Sequence, residues 1–335
     1  MQAALYAGVH DIQLVERVRP VPQAGELLVQ VHACGICGTD RHIYHGEAPA
    51  CPPVILGHEF AGEVVAVGPG VSPNWIGRRV AVDPNIYCGR CEYCRDGRIQ
   101  LCTGLRAIGV TQDGGFAQFC AVPEAQALPV PEGLSLEEAA MTEPVACCLH
   151  GIDLAEVRAG QRVAVLGGGA IGLILAQLAR ARGAIDVVVS EPAAPRRQLA
   201  VELGIDSVAP TELGERLPDG ADVVIEAAGT RTTAAQALEI ARRGATVLLF
   251  GVTPMGQKIE MEPFQVFRKE LTIKGSHINP FTMRRALALL ESGQVQVAPL
   301  ITHRIGLADL ASTLATPAPP EMMKAMVVID VPSSP

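Results

Sequence analysis

The run Val163-Ala-Val-Leu-Gly-Gly-Gly-Ala-Ile-Gly172 constrains the fold of this chain more than any other feature. Val163 to Leu166 form a short continuous apolar run, which suits a buried parallel strand. Gly167, Gly168, Gly169, Ala170, Ile171 and Gly172 then read G-x-G-x-x-G, and a helical pattern follows. Strand, glycine turn and helix in this order make a dinucleotide-binding fingerprint. Gly167 permits the tight turn, Gly169 lets the backbone approach a pyrophosphate, and Gly172 lets the helix pack closely on the strand. The helix N-terminus offers N–H groups and a positive dipole end to the phosphates. About 20 residues further on, Glu191 ends the next apolar run, where an acid binds the adenosine ribose hydroxyls. A carboxylate there repels the extra phosphate of NADP, so the pattern favours NAD. Arg196 and Arg197 follow on the next helix candidate. An arginine can pair with that phosphate, but their plainer reading is a solvated helix face, with one of them stacked on adenine.

The fingerprint sits in an alternating stretch. Val187-Val-Val189, Val223-Val-Ile225 and Val247-Leu-Leu-Phe250 are further short apolar runs, and Leu271-Thr-Ile-Lys274 reads as a last strand. Helix candidates lie near 170–182, 193–203 and 232–242. This pattern predicts an α/β fold with a doubly wound parallel sheet. The first 130 or so residues differ. Leu27-Leu-Val-Gln-Val-His32 and Val64-Val-Ala-Val67 are β-rich, and Gly, Pro and Asn interrupt them as in a small β-barrel. A helix near Met283 to Glu291 and a strand near Met326 to Ile329 return to that first domain. The expected division is residues 1–149 with 278–335 for the barrel domain, and 150–277 for the nucleotide domain. The tail 331–335 is expected to be loose.

Ten cysteines need an explanation. No basic, long apolar leader opens the chain, so a cytoplasmic location is expected, and there disulfides rarely persist. Cys88, Cys91, Cys94 and Cys102 give C-x2-C-x2-C-x7-C. Four thiolates around one tetrahedral ion need short loops of this kind, and a closed four-sulfur shell is structural. A second group is Cys34-Gly-Ile-Cys37-Gly-Thr-Asp40-Arg-His42, with Gly57-His58-Glu59 further on. Taken alone, Cys34 and Cys37 could be a redox pair or buried thiols, and His58 a core histidine. A catalytic zinc takes about three protein ligands and keeps one open position. Cys37, His58 and one carboxylate satisfy that, with Asp40 orienting a ligand.

With these motifs in view, the chain resembles the zinc-containing medium-chain dehydrogenases/reductases, and within them sorbitol and other polyol dehydrogenases. The match covers almost the whole length. Gly57-His58-Glu59-Phe-Ala-Gly62 with Gly68, the four-cysteine lobe, Glu143-Pro144 and the glycine turn fall in the family's order. The resemblance implies a GroES-like β-barrel catalytic domain beside a Rossmann domain, with one catalytic and one structural zinc. It implies Cys37 and His58 as catalytic zinc ligands, and Glu59 as an acid acting on zinc directly or through a neighbouring group. Glu143 stands where simple alcohol dehydrogenases carry a cysteine, and in the polyol branch it acts on zinc or on its water. Thr39 and His42 match a proton relay that runs through the nicotinamide ribose. Glu191 and Arg196 match the adenosine contacts, and Gly251 and Val252 a nicotinamide contact. Ser276 and His277 lie where the chain leaves the nucleotide domain. The segment Ser276-His-Ile-Asn-Pro-Phe281 departs from animal sorbitol dehydrogenases, so sorbitol itself is not implied.

The expected function is hydride transfer between a secondary alcohol or polyol and NAD, giving a ketone or ketose. Alternatives are a simple alcohol or hydroxy amino acid dehydrogenase, a zinc-free reductase, and a non-catalytic zinc and nucleotide binder. The 27 basic and 35 acidic residues leave a net charge of −8, which argues against nucleic acid as a partner. No apolar stretch reaches the roughly 18–20 residues of a membrane span. Family resemblance alone implies a homo-oligomer, a tetramer in preference to a dimer.

Overall fold

The computed structural model describes residues 1–330, and the expected loose tail lies outside them. The chain divides into two compact units. The first comprises Met1–Pro144, Met283–Glu291 and the segment from Ile301 onward; the second comprises Val145–Thr282 and Ser292–Leu300. Residues 292–300 therefore pack with the second unit, where the sequence suggested that everything past 277 joins the first. The cause is local: the Gln177 amide donates to the Gln296 carbonyl and accepts from its N–H, at 3.1 and 2.7 Å.

The first unit is built on a largely antiparallel sheet. Its strands run Ala127–Pro129, Arg79–Val82, Glu59–Val67, Glu26–Gly35, Lys324–Val328 and Ile301–Ile305 in spatial order, and Phe119–Pro123 also pairs with Glu26–Gly35. Leu27, Val29, Val31, Phe60, Val64, Val80 and Val82 form one buried core. Gly62 is needed there, because a Cβ would fall 2.0 Å from the Gln30 carbonyl oxygen. Two helices of this region matter below: α1 (Gly38–Tyr44) and α2 (Thr142–Ala155), the second of which crosses the boundary between the units.

The second unit holds six parallel strands: β1 (Arg162–Leu166), β2 (Asp186–Ser190), β3 (Asp206–Val208), β4 (Ala221–Glu226), β5 (Ala241–Leu249) and β6 (Thr272–Gly275). Their order is β3-β2-β1-β4-β5-β6, the doubly wound arrangement. Because helices cover the sheet, β1 is apolar on both faces. Ala164 and Leu166 join a core with Val188, Val224 and Val247, while Val163 and Val165 are equally buried. A fully buried side chain the size of Leu166 contributes about 1.5–3 kcal/mol. Helix α3 (Ala170–Ala181) follows the glycine turn, and α4 (Ala194–Glu202), α5 (Arg231–Ile240) and α6 (Pro263–Lys269) follow later strands. The sequence reading missed β3, a three-residue strand at the sheet's edge, and α6. No helix among the described residues is long and apolar enough to cross a membrane.

Candidate active site

Helix α1 begins at Cys37, which takes the N-cap position. The Asp40 carboxylate folds back to accept the Cys37 N–H at 2.8 Å, satisfying a donor left free by the helix start. This turn holds the Cys37 Sγ at the positive end of the helix. The other Asp40 oxygen lies 3.6 Å from His58 Nδ1, and both groups are buried. His58 and Glu59 reach the site because Gly57 adopts φ +92°, where a Cβ would collide with Cys34 Sγ and the Phe116 ring at 2.8 Å. Glu59 then opens its strand opposite Gly35.

Ligand atoms of Cys37, His58 and Glu59 lie within 4.8 Å of one another. Glu143, the alternative carboxylate, is buried in the first turn of α2 and stands outside this cluster. Glu59 carries a partner that the sequence did not reveal, the buried ammonium of Lys324, an ion pair closed across Gly35. Burial works against the charge on Lys324, but Glu59 and Cys37 outweigh it and raise its pKa. Burial likewise opposes an imidazolium at His58, yet Asp40 and Cys37 hold its pKa well above the usual histidine range. The cluster therefore draws positive charge. Thiol, imidazole and carboxylate with an acid behind the imidazole form a donor set that fits zinc.

On α1, Thr39 Oγ1 lies 3.6 Å from Cys37 Sγ. His42 stands one turn further on and pairs through Nδ1 with Glu47 Oε2 at 2.6 Å, toward the surface. Glu47 is a second residue that the sequence reading passed over.

Cys88, Cys91, Cys94 and Cys102 also converge within 4.8 Å, and all are free thiols. Gly89 and Gly97 supply left-handed turns at φ +70° and +75°. Backbone N–H groups aim at the sulfurs, from Cys91 to Cys88 at 3.4 Å and from Cys88 and Gly104 to Cys102 at 3.3 and 3.4 Å. Backbone donors pull Cys91 down to about 6, while desolvation and then Cys91 and Cys102 push Cys94 up to about 12. Four thiolates at this spacing need a cation to balance them, and tetrahedral zinc fits.

The nucleotide residues lie at the C-terminal ends of the parallel strands. Gly167 has φ +109°, and a Cβ at Gly172 would fall 1.9 Å from the Gly167 oxygen, so the glycine at each position is enforced. Gly168, Gly169, Ala170 and Ile171 complete the turn and open α3. Glu191 is buried after β2 and accepts N–H groups from Gly168 at 2.8 Å and Ala193 at 2.9 Å. Arg197 donates to the Glu191 and Pro192 carbonyls at 2.9 and 2.7 Å, while Arg196 lies half-buried beside it. Gly251 and the exposed Val252 follow β5. Ser276 and His277 follow β6, with desolvation lowering the His277 pKa.

The profile described as "Alcohol dehydrogenase GroES-like domain" matches residues 23–132, and that described as "Zinc-binding dehydrogenase" matches 170–292. The chain is 36% identical over 331 residues to D-altritol 5-dehydrogenase of Agrobacterium fabrum, covering 94% of this chain and 98% of the relative. It is also 36% identical over 309 residues to L-threonine 3-dehydrogenase of Thermococcus kodakarensis, covering 88% of each. Among solved structures, a protein described as a zinc-binding dehydrogenase from Sinorhizobium meliloti, bound to NADP, superposes with a TM-score of 0.95. Its identity is 45%, with 98% of each chain covered.

Two ligand sets predict two zinc ions per chain by elemental analysis, with zinc added back to replace losses from the open site. Cys94→Ser should lower folding stability, since structural zinc contributes folding free energy directly. Cys37→Ser should abolish turnover and leave circular dichroism nearly unchanged. At most one zinc in the replenished wild type would refute the pair.

Proposed function

We propose a polyol as the substrate of this enzyme, which belongs to the zinc-containing medium-chain dehydrogenases of the polyol dehydrogenase type. The observation that carries the reading is a buried carboxylate, Glu143, where simple alcohol dehydrogenases hold a zinc thiolate. In this reading Cys37, His58 and Glu59 hold the metal, and Glu143 acts by hydrogen bonding. A polyol brings a second hydroxyl next to the reacting one, and a carboxylate accepts it. The bound groups supply acidification of the substrate hydroxyl, by the metal as Lewis acid, and acceptance of hydride, by the nicotinamide. Thr39 Oγ1 accepts the proton of the substrate hydroxyl as it passes its own on along the relay toward His42. His42, paired with Glu47 toward the surface, delivers a proton to solvent. The reacting carbon is secondary, and the product is a ketose.

Vicinal diols and sugar alcohols should exceed unsubstituted primary alcohols in kcat/KM, followed by nicotinamide absorbance. Glu143→Gln should keep cofactor affinity and lower turnover about 10–100-fold. Ethanol as the best substrate, or a fully active Gln variant on a diol, would sink the proposal. A hydroxy amino acid is the second reading, supported by the equal identity to the threonine enzyme. Threonine added to the same panel separates the two.

The preferred cofactor in this reading is NAD. The Glu191 carboxylate, held by the Gly168 N–H after β2, is the acid that would meet the adenosine ribose, and Arg197 donates to two carbonyls. Arg196, next to Arg197 on α4, is the side chain that a 2′-phosphate would have to recruit. Glu191→Ala should narrow the ratio of kcat/KM for NAD over NADP, whereas a wild type that works better with NADP would show that Arg196 governs the choice.

The reading also includes a homo-oligomer, a tetramer before a dimer, in the cytoplasm. Strand β6 ends the sheet order, and Phe264 and Phe267 beside it are 56% and 78% exposed. An open sheet edge with apolar neighbours invites a second strand. Light scattering at micromolar concentration should exceed the 35.2 kDa of one chain, and a monomer mass refutes the assembly. Ten cysteines without a disulfide among the described residues support the reducing compartment.

A further inference from the structure

Glu226 is a buried carboxylate to which no step above assigns a role. It is 1% exposed and ends β4, next to the β1 strand that leads into the glycine turn. Burying a carboxylate is costly unless it is well hydrogen-bonded. Glu226 Oε1 accepts the N–H of Ala228 at 2.9 Å, the N–H of Gly229 at 2.8 Å and the hydroxyl of Thr233 at 2.7 Å. Its main-chain oxygen accepts the N–H of Phe250 at 3.0 Å and of Gly251 at 2.9 Å. One residue thus holds the loop after β4 and the loop after β5.

The packing between these loops has no slack. A Cβ at Gly251 would fall 2.2 Å from Gly229 N and 2.6 Å from Glu226 Oε2. A Cβ at Gly229, whose φ is +68°, would fall 2.6 Å from the Val252 oxygen. The glycine turn touches the same loop, since a Cβ at Gly167 would fall 2.9 Å from Ala228 N. A doubly wound sheet binds its ligand outside the C-terminal strand ends, one nucleotide to each half. Glu191 on β2 marks the adenosine half. The loops after β4 and β5 therefore face the other nucleotide.

We propose that Glu226 is the positioning residue for the nicotinamide half: its carboxylate and carbonyl fix the 227–229 and 250–252 loops as a preformed seat for the nicotinamide nucleoside. This rests on the dinucleotide reading of the second unit. The seat is in place before the ligand arrives, so ordering it does not count against affinity.

The test compares NADH, measured by fluorescence titration, with AMP, measured by calorimetry, on the zinc-loaded full chain. Glu226→Ala should weaken NADH by about tenfold or more, as expected for unpaired buried donors, and leave AMP within about twofold. Glu226→Gln should recover most of the NADH affinity, because its amide oxygen accepts the same three donors. Equal weakening of NADH and AMP, or no weakening of NADH, would overturn the proposal. If the Ala variant does not fold, Thr233→Val removes one donor to the carboxylate, and the same selective loss of NADH affinity is expected. Unchanged NADH affinity in that variant would overturn the proposal as well. A wild type that binds neither NADH nor NADPH would overturn the dinucleotide reading itself, an outcome distinct from any of these.

Discussion

The ion pair between Glu59 and Lys324 ties the first unit together at its site. Its partners come from strands on either side of Glu26–Gly35, which pairs Gly35 with Glu59 on one edge and with Met326 on the other. The pair can close only because Gly35 has no side chain, since a Cβ would fall 2.2 Å from Glu59 Oε2 and 2.9 Å from Lys324 Cε. A buried pair is a weak net stabiliser, but losing one partner costs about 3–5 kcal/mol. Any slip in register that separated the two would meet that cost. The interaction thus fixes three strands and, two residues past Gly35, the start of α1 at Cys37.

The same pair explains the charge of the site. Cys37, Asp40 and Glu59 concentrate acidic groups in one buried region, and Lys324 is the fixed cation opposed to them. The balance remains acidic, which is why the His58 pKa is raised against the cost of burial. A zinc ion held by Cys37, His58 and Glu59 would answer the same demand and would need the imidazole neutral, with Asp40 beside its Nδ1. Metal binding there and the raised histidine pKa would share one electrostatic cause.

Local patterns made much of this legible in the sequence. The apolar runs of β1, β2, β4 and β5 are buried on both faces, so their composition reveals them. The turn Gly167–Gly172 and the four cysteines depend on short-range geometry, and spacing alone exposes them. What stayed hidden depends on contacts distant in sequence. Lys324 looks like an ordinary charged residue before a strand, and only the return of the last strand beside Gly35 brings it to Glu59. Glu226 looks like the polar end of an apolar run. Strand β3 has only three residues, of which Asp206 is exposed, so no apolar run announces it. Helix α6 exposes Phe264 and Phe267, so it lacks the buried stripe by which a helix is recognised. Glu143 and Glu59 could not be ranked as ligands from sequence, because both belong to family motifs and the proximity of Glu59 to Cys37 and His58 arises only on folding.

Glu191 and Glu226 follow one design on opposite sides of the switch point. Each comes at the end of a strand flanking β1, each is buried, and each turns its carboxylate back to accept the N–H two residues on, Ala193 in one case and Ala228 in the other. Each then takes a further donor from an adjoining turn, Gly168 for Glu191 and Gly229 for Glu226. The remaining capacity differs. A carboxylate has about four acceptor sites. Glu191 uses one on each oxygen and keeps room for ribose hydroxyls, whereas Glu226 takes three donors on Oε1 and has its Oε2 packed against Gly251, where a Cβ would fall 2.6 Å away. In the proposed reading the first residue binds ligand and the second holds protein. A rigid frame on one half beside an open carboxylate on the other lets the adenosine end be recognised by its hydroxyls, while the reactive end is recognised by shape.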